Sequence, residues 1–213
     1  MTPVEIAVIG GSTVLGAVLG ATVLPWWADV ESRSAARSGV RTRIAGAVVT
    51  ALAFGVLAQR VGMDALLPAF LAVMSIGTAI SIVDLREKRI PNRMLLMATP
   101  ALAVLLVAGV LVHSKPERVL AVLAGAAAMF ALYFVIALVA PAAMGMGDVK
   151  LAALLGGALG AAGLTGWLVG LLAAFLIGGV VAIIALAAGR VGWRGSIPFG
   201  PWMIAGALVG LAL

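Results

Sequence analysis

The chain contains no cysteine. Disulfides, thiolate metal sites and cysteine nucleophiles are therefore excluded. Charge is scarce as well. Asp, Glu, Lys and Arg make up 10% of the residues, where a soluble domain carries about 25%. So few charges cannot cover a water-facing surface, so the solvent must largely be lipid. The start, Met-Thr-Pro-Val-Glu, lacks the positive segment of a cleavable signal peptide, so the first apolar run is expected to stay as a span. There is a single histidine, His113. What fills the sequence instead is apolar: 64% hydrophobic residues and a mean hydropathy of +1.23. Glycine is frequent, with 27 residues, as suits helices packed closely in a membrane. The net charge of +6 comes from basic residues in short segments between apolar runs. Topology and anionic lipid headgroups explain that placement better than a nucleic-acid partner does.

A helix crosses the hydrocarbon core with about 20 apolar residues. Eight stretches approach that description: 4–27, 44–59, 65–84, 94–112, 118–140, 147–162, 164–188 and 197–213. The uncharged run from Val149 to Gly189 is too long for one span. Its break is expected in the glycine-rich stretch Gly160–Gly166. Together these make an all-α, polytopic bundle in one integral membrane domain, residues 1–213. The loops on one side hold Arg33, Arg37, Arg41, Arg43, Arg86, Lys88, Arg89, Arg93, Lys150, Arg190 and Arg194. The other side holds only Arg60, Lys115 and Arg118. The positive-inside rule makes the first set cytoplasmic and puts both termini outside. A seven-span arrangement would spoil that division.

Gly16/Gly20, Gly156/Gly160, Gly166/Gly170 and Gly206/Gly210 each place two small residues on one helix face, where backbones can approach. Packing within the chain is the expected use. A homodimer through one of these faces is the other use.

Acidic residues near a bilayer are costly, and so informative. Glu5, Asp64 and Glu117 fall in outer segments, Asp29 and Glu31 among the arginines of the first inner loop, and Glu87 in Arg-Glu-Lys-Arg, where a solvated ion pair is expected. Asp84 and Asp148 remain. Asp84 closes an apolar run and Asp148 opens the sixth span, both on the cytoplasmic side. Two carboxylates in one poorly hydrated site cannot both ionise easily. They can share a proton, so that the ionised member activates water while the protonated one polarises a carbonyl. The structural alternative is a capping Asp148 at a helix N-terminus and an Asp84 paired with a nearby arginine or lysine.

Gly145 and Gly147 precede Asp148 and allow positive φ and close approach of a substrate strand. Ile90-Pro91-Asn92 follows Asp84 by a few residues. Gly145-Met-Gly147-Asp148-Val-Lys150-Leu151 and Ile197-Pro198-Phe199-Gly200-Pro201 complete the set. These three elements, in this order and at membrane boundaries, resemble the type IV prepilin peptidases, a family of GxGD membrane aspartic proteases. The resemblance covers residues 65–213 well and the first two spans loosely. It implies an endopeptidase of the cytoplasmic (inner) membrane that removes the short basic leader of type IV pilin or pseudopilin precursors, just before their hydrophobic helix and usually after a glycine. It implies Asp84 and Asp148 as the catalytic pair, with no metal and no cofactor. Gly145, Gly147, Lys150, Pro91, Asn92, Pro198, Phe199, Gly200 and Pro201 are candidates for shaping the site or binding substrate. For Lys150, the other use is a headgroup anchor. For the Pro198–Pro201 segment, it is a rigid turn.

Larger members of the family carry a cytoplasmic insertion after the first span, often with two Cys-x-x-Cys pairs, and also methylate the new N-terminus. Here that loop is the short basic stretch 28–43 without cysteine, so no zinc site is expected and methyl transfer is doubtful. His113, on the outer side, is not expected to be catalytic. Trp26, Trp27 and Trp193 read as interfacial aromatics. Two rivals stand beside this reading. One is a small proton- or cation-coupled transporter, or a pilus-assembly subunit, using the two aspartates without proteolysis. Transport sites lie near the midplane on broken helices, whereas these acids sit at the boundary. The other is the presenilin-like branch, which pairs Gly-x-Gly-Asp with Tyr-Asp and Pro-Ala-Leu. Asp84 follows valine here, and no Pro-Ala-Leu occurs.

Overall fold

The structure is a computed structural model that describes residues 1–34, 37–112, 117–141, 144–192, 195 and 197–213. His113, Lys115, Trp193 and Arg194 lie outside the described residues. Among the described residues the chain forms helices α1 (Pro3–Ala21), α2 (Val23–Glu31), α3 (Val40–Val61), α4 (Leu67–Glu87), α5 (Asn92–Val112), α6 (Glu117–Val139), α7 (Met146–Ala162), α8 (Leu164–Ala187) and α9 (Gly200–Leu211). Among the described residues, six stretches are long and apolar enough to cross a membrane: Pro3–Glu31, Val40–Val61, Leu67–Glu87, Asn92–Val112, Arg118–Val139 and Leu164–Ala187. The protein is a multi-pass, all-helical membrane bundle.

All eight expected stretches are helical, but the first is broken. Pro25 has no N–H to give the carbonyl of Ala21, and its ring crowds that carbonyl. The helix kinks at Thr22, at φ −122° and ψ −77°, and Arg43 Nη1 donates to the Ala21 oxygen at 3.4 Å. The helix then runs on to Glu31, and α3 begins at Val40. The connection between α2 and α3 therefore spans at most residues 32–39, shorter than the expected 28–43. The expected break between the sixth and seventh spans falls at Gly163. Its φ of +106° is in a region that side-chain-bearing residues rarely adopt.

The last stretch starts later than expected, at Gly200 rather than Ile197. Pro198 disfavours a helical Ile197, and Pro201 suits a first helical turn. At 12 residues, α9 rises about 18 Å, and α7, with 17, about 25 Å. Both are short for a full crossing.

α4 is the innermost of the long spans: 72% of its apolar window is buried, against 11–33% for the others. α7 is likewise buried from Leu151 to Ala161 apart from the half-buried Ala153. The four glycine pairs are all used within the chain. A Cβ on Gly16 or Gly20 would meet α3 backbone, one on Gly156 or Gly160 would meet α6, those of Gly166, Gly206 and Gly210 would collide across the α8–α9 seam, and that of Gly170 would run into Leu159 of α7. None of these faces is left open for a second copy.

Candidate active site

Asp84 lies in the last turn of α4. Lys88 N–H donates to its carbonyl at 2.8 Å, and Lys88 then leaves the helix in the left-handed region at φ +50°. Pro91 keeps Ile90 extended and α5 starts at Asn92. This tight reversal presses Ile90 against Gly147, where a Cβ would stand 2.9 Å from the Ile90 Cβ. The glycine at 147 thus lets the α4–α5 turn and the N-terminus of α7 touch.

Asp148 lies in the first turn of α7. Its Oδ2 accepts the Gly145 N–H at 3.1 Å, so it does cap the helix, as the structural alternative foresaw. The other half of that alternative was a basic partner for Asp84, and among the described residues no arginine pairs with it. The arginines near Asp84 turn elsewhere: Arg86 Nη1 to Asp29 at 2.9 Å, Arg89 Nε to Glu87 at 2.6 Å and Arg93 Nε to Glu31 at 3.6 Å. Glu87 is more than a solvated ion pair, since it also accepts from Ser32 Oγ, from Arg33 N–H at 2.8 Å and from Ser34 N–H at 3.1 Å. It thereby ties the first inner loop to the end of α4.

Asp84 is 3% exposed and its Oδ2 accepts the Gly200 N–H at 2.9 Å. A Cβ on Gly200 would lie 2.9 Å from the same oxygen. Only glycine brings the start of α9 this close. Both aspartates open into one cavity of about 370 Å³, which is also lined by Lys88, Arg89, Ile90, Asn92, Pro141, Met144, Gly145, Met146, Gly147, Lys150, Ile197, Pro198 and Phe199. The two carboxylates are within electrostatic reach of one another. Lys150 Nζ donates to Asn92 Oδ1 at 2.8 Å and joins the second and first elements.

Of the eleven residues singled out from sequence, eight line the cavity: Asp84, Asn92, Gly145, Gly147, Asp148, Lys150, Pro198 and Phe199. Gly200 reaches it through its N–H. Pro91 is buried and shapes the turn without lining the cavity. Pro201 faces the opposite way, into a groove between α3, α4 and α9.

Sequence reasoning passed over Tyr133, the only tyrosine. It is 1% exposed on α6. Its ring lies 6.3 Å from Phe199 and 5.5 Å from Phe175, which itself stands 5.6 Å from Phe199, and it is within electrostatic reach of Asp148. A lone phenol inside an otherwise apolar span was the available signal.

Three comparisons bear on this arrangement. The sequence profile of the type IV leader peptidase family matches residues 69–183, a stretch that includes both aspartates. The prepilin leader peptidase/N-methyltransferase of Bacillus subtilis (strain 168) is 32% identical over 169 residues, covering 78% of this chain and 63% of that relative. The chain thus spans less than two thirds of that relative's length. No solved structure matches the chain.

Proposed function

The chain belongs to the type IV leader peptidase family, and from that premise we propose that it is an aspartic endopeptidase that removes the leader of pilin or pseudopilin precursors at the cytoplasmic face of the inner membrane. The observation that carries this reading is the meeting of Asp84 and Asp148 in one cavity, from the last turn of α4 and the first turn of α7. A water between the carboxyls loses a proton to the ionised member and attacks the scissile carbonyl carbon, while the protonated member gives its proton to the carbonyl oxygen. The tetrahedral species then collapses. The C–N bond breaks, a proton passes to the leaving amine, and the dyad regains its single shared proton.

Burial and the backbone N–H that each accepts set the two carboxyls apart. Asp84 is the enclosed member, held by Gly200. Asp148 is half-buried and accepts the Gly145 N–H. The cut N-terminus stays unmethylated in this reading, because the inner loop 32–39 offers little wall for a pocket that must bury most of a methyl donor.

The test is to incubate purified protein in detergent or liposomes with a pilin precursor and to measure the masses of both products. The expected result is one cut before the apolar helix, unaffected by chelators or thiol reagents. Loss of activity with a chelator, restored by a divalent ion, contradicts the mechanism.

A further inference from the structure

The substrate of such an enzyme brings an apolar helix to the site, and that helix needs a seat in the bundle. Among the described residues, α5 packs mainly on α4 and more sparsely on α7 and on α6, its neighbour in sequence. Between α5 and α6 lies a cleft of about 710 Å³ lined by Asn92, Leu96, Thr99 and Pro100 of α5, Phe130 of α6 and Ala153 of α7, among others. Its walls are mostly apolar, and Leu96 is 75% and Phe130 39% exposed. Asn92 and Lys150 line both this cleft and the catalytic cavity. From Asn92 to Pro100 the cleft follows α5 for about 12 Å toward the middle of the bilayer. The groove between α3, α4 and α9, about 610 Å³, is the competing seat, yet it shares no lining residue with the catalytic cavity.

We propose that the α5–α6 cleft, floored by α7, receives the apolar helix of the precursor sideways from the lipid and delivers its cytoplasmic end to Asp84 and Asp148 past the Lys150–Asn92 bridge. This rests on the leader-peptidase reading. Two features fit the cleft for a peptide helix rather than a closed packing seam. Pro100 withholds the usual N–H from the Leu96 carbonyl, which softens α5 beside the opening. Lys150 uses one donor on Asn92, and an ammonium has three, so others can meet a backbone carbonyl where the helix of the precursor unwinds before the cut.

The absence of cysteine makes the test clean. The Asp148→Asn protein, which holds substrate uncut, is given one cysteine at a time at Leu96 or Phe130 in the cleft, at Val49 in the competing groove, or at Leu172 on the outer face of α8. Each is mixed in liposomes with a pilin precursor bearing one cysteine early in its apolar helix, and disulfide formation is measured. Gel filtration confirms that each variant is folded. Leu96→Cys and Phe130→Cys should cross-link several-fold more than Val49→Cys and Leu172→Cys. Cross-links favouring Val49→Cys or Leu172→Cys, or no cross-link at any position, overturn the cleft. If the wild-type protein still cuts the same precursor, the protease reading then stands without it. A wild-type protein that does not cut the precursor removes the protease reading, and the cleft assignment with it.

Discussion

Gly200 carries a hydrogen where any other residue would place a carbon 2.9 Å from the Asp84 carboxylate, and its N–H is the hydrogen bond that orients that carboxylate. Gly200→Ala must therefore push Asp84 or the start of α9 aside. Loss of one such oriented hydrogen bond costs about 1.5 kcal/mol, so kcat should fall roughly tenfold or more while the protein remains folded. Unchanged kcat in the alanine variant would detach α9 from the chemistry. At this scale the sequence was informative where chemistry needs a rare residue in a hostile place. Asp84 and Asp148 stood out because carboxylates at the end of apolar runs are costly. Gly145 and Gly147 stood out because they precede one of them. The partner of Asp84 did not stand out, because a backbone N–H has no side-chain signature. Tyr133 was hidden by its surroundings, since a single aromatic in an apolar helix reads as packing.

Helix contacts follow the same logic one level up. Gly206 sits where a Cβ would run into the backbone of Ala174, while Gly179 on α8 has open space around it. Gly206→Ala should lower stability by about 1–3 kcal/mol, the usual penalty of overpacking, read as a lower melting temperature in detergent. Gly179→Ala should raise stability by about 0.5–1 kcal/mol, because alanine has the better helix propensity. Equal melting temperatures for the two would contradict the tight α8–α9 seam. The spans and the break at Gly163 were legible as apolar runs and glycine clusters. The kink at Thr22 was written in Pro25, four residues past the carbonyl it leaves open, but an unbroken apolar run masked it. The shortness of α9 was written in Pro198 and Pro201. Which glycine meets which helix was not legible, since small-xxx-small spacing names a face but not its partner.

Across the whole molecule, the division of lysines and arginines predicts a cytoplasmic side for the candidate active site. Reporter fusions at Ser38 and Gly192 should read cytoplasmic, and fusions at Gly62 and Leu213 external. A cytoplasmic Leu213 would remove one crossing and undo the charge division. The short inner loop gives a second prediction at this scale. With purified enzyme, a pilin precursor and a labelled methyl donor, the mature pilin N-terminus should carry no added methyl group. An added methyl that depends on this enzyme would refute that point and leave the leader-cleavage reading intact. The arrangement of spans also explains why the aspartates meet. α4 and α7 are separated in sequence by α5 and α6, yet both lie in the buried interior of the bundle, so the end of one and the start of the other share a single cavity at one face.

The claim on which the account turns is that Asp84 and Asp148 act together as one proton-sharing pair. Asp84→Asn and Asp148→Asn each keep the volume and a hydrogen-bonding oxygen but cannot carry the shared proton. Cleavage of a pilin precursor by the two purified variants, each shown by gel filtration and thermal melting to be folded, is the direct measurement. The account predicts that both lose all detectable cleavage, and substantial cleavage by either one would contradict it.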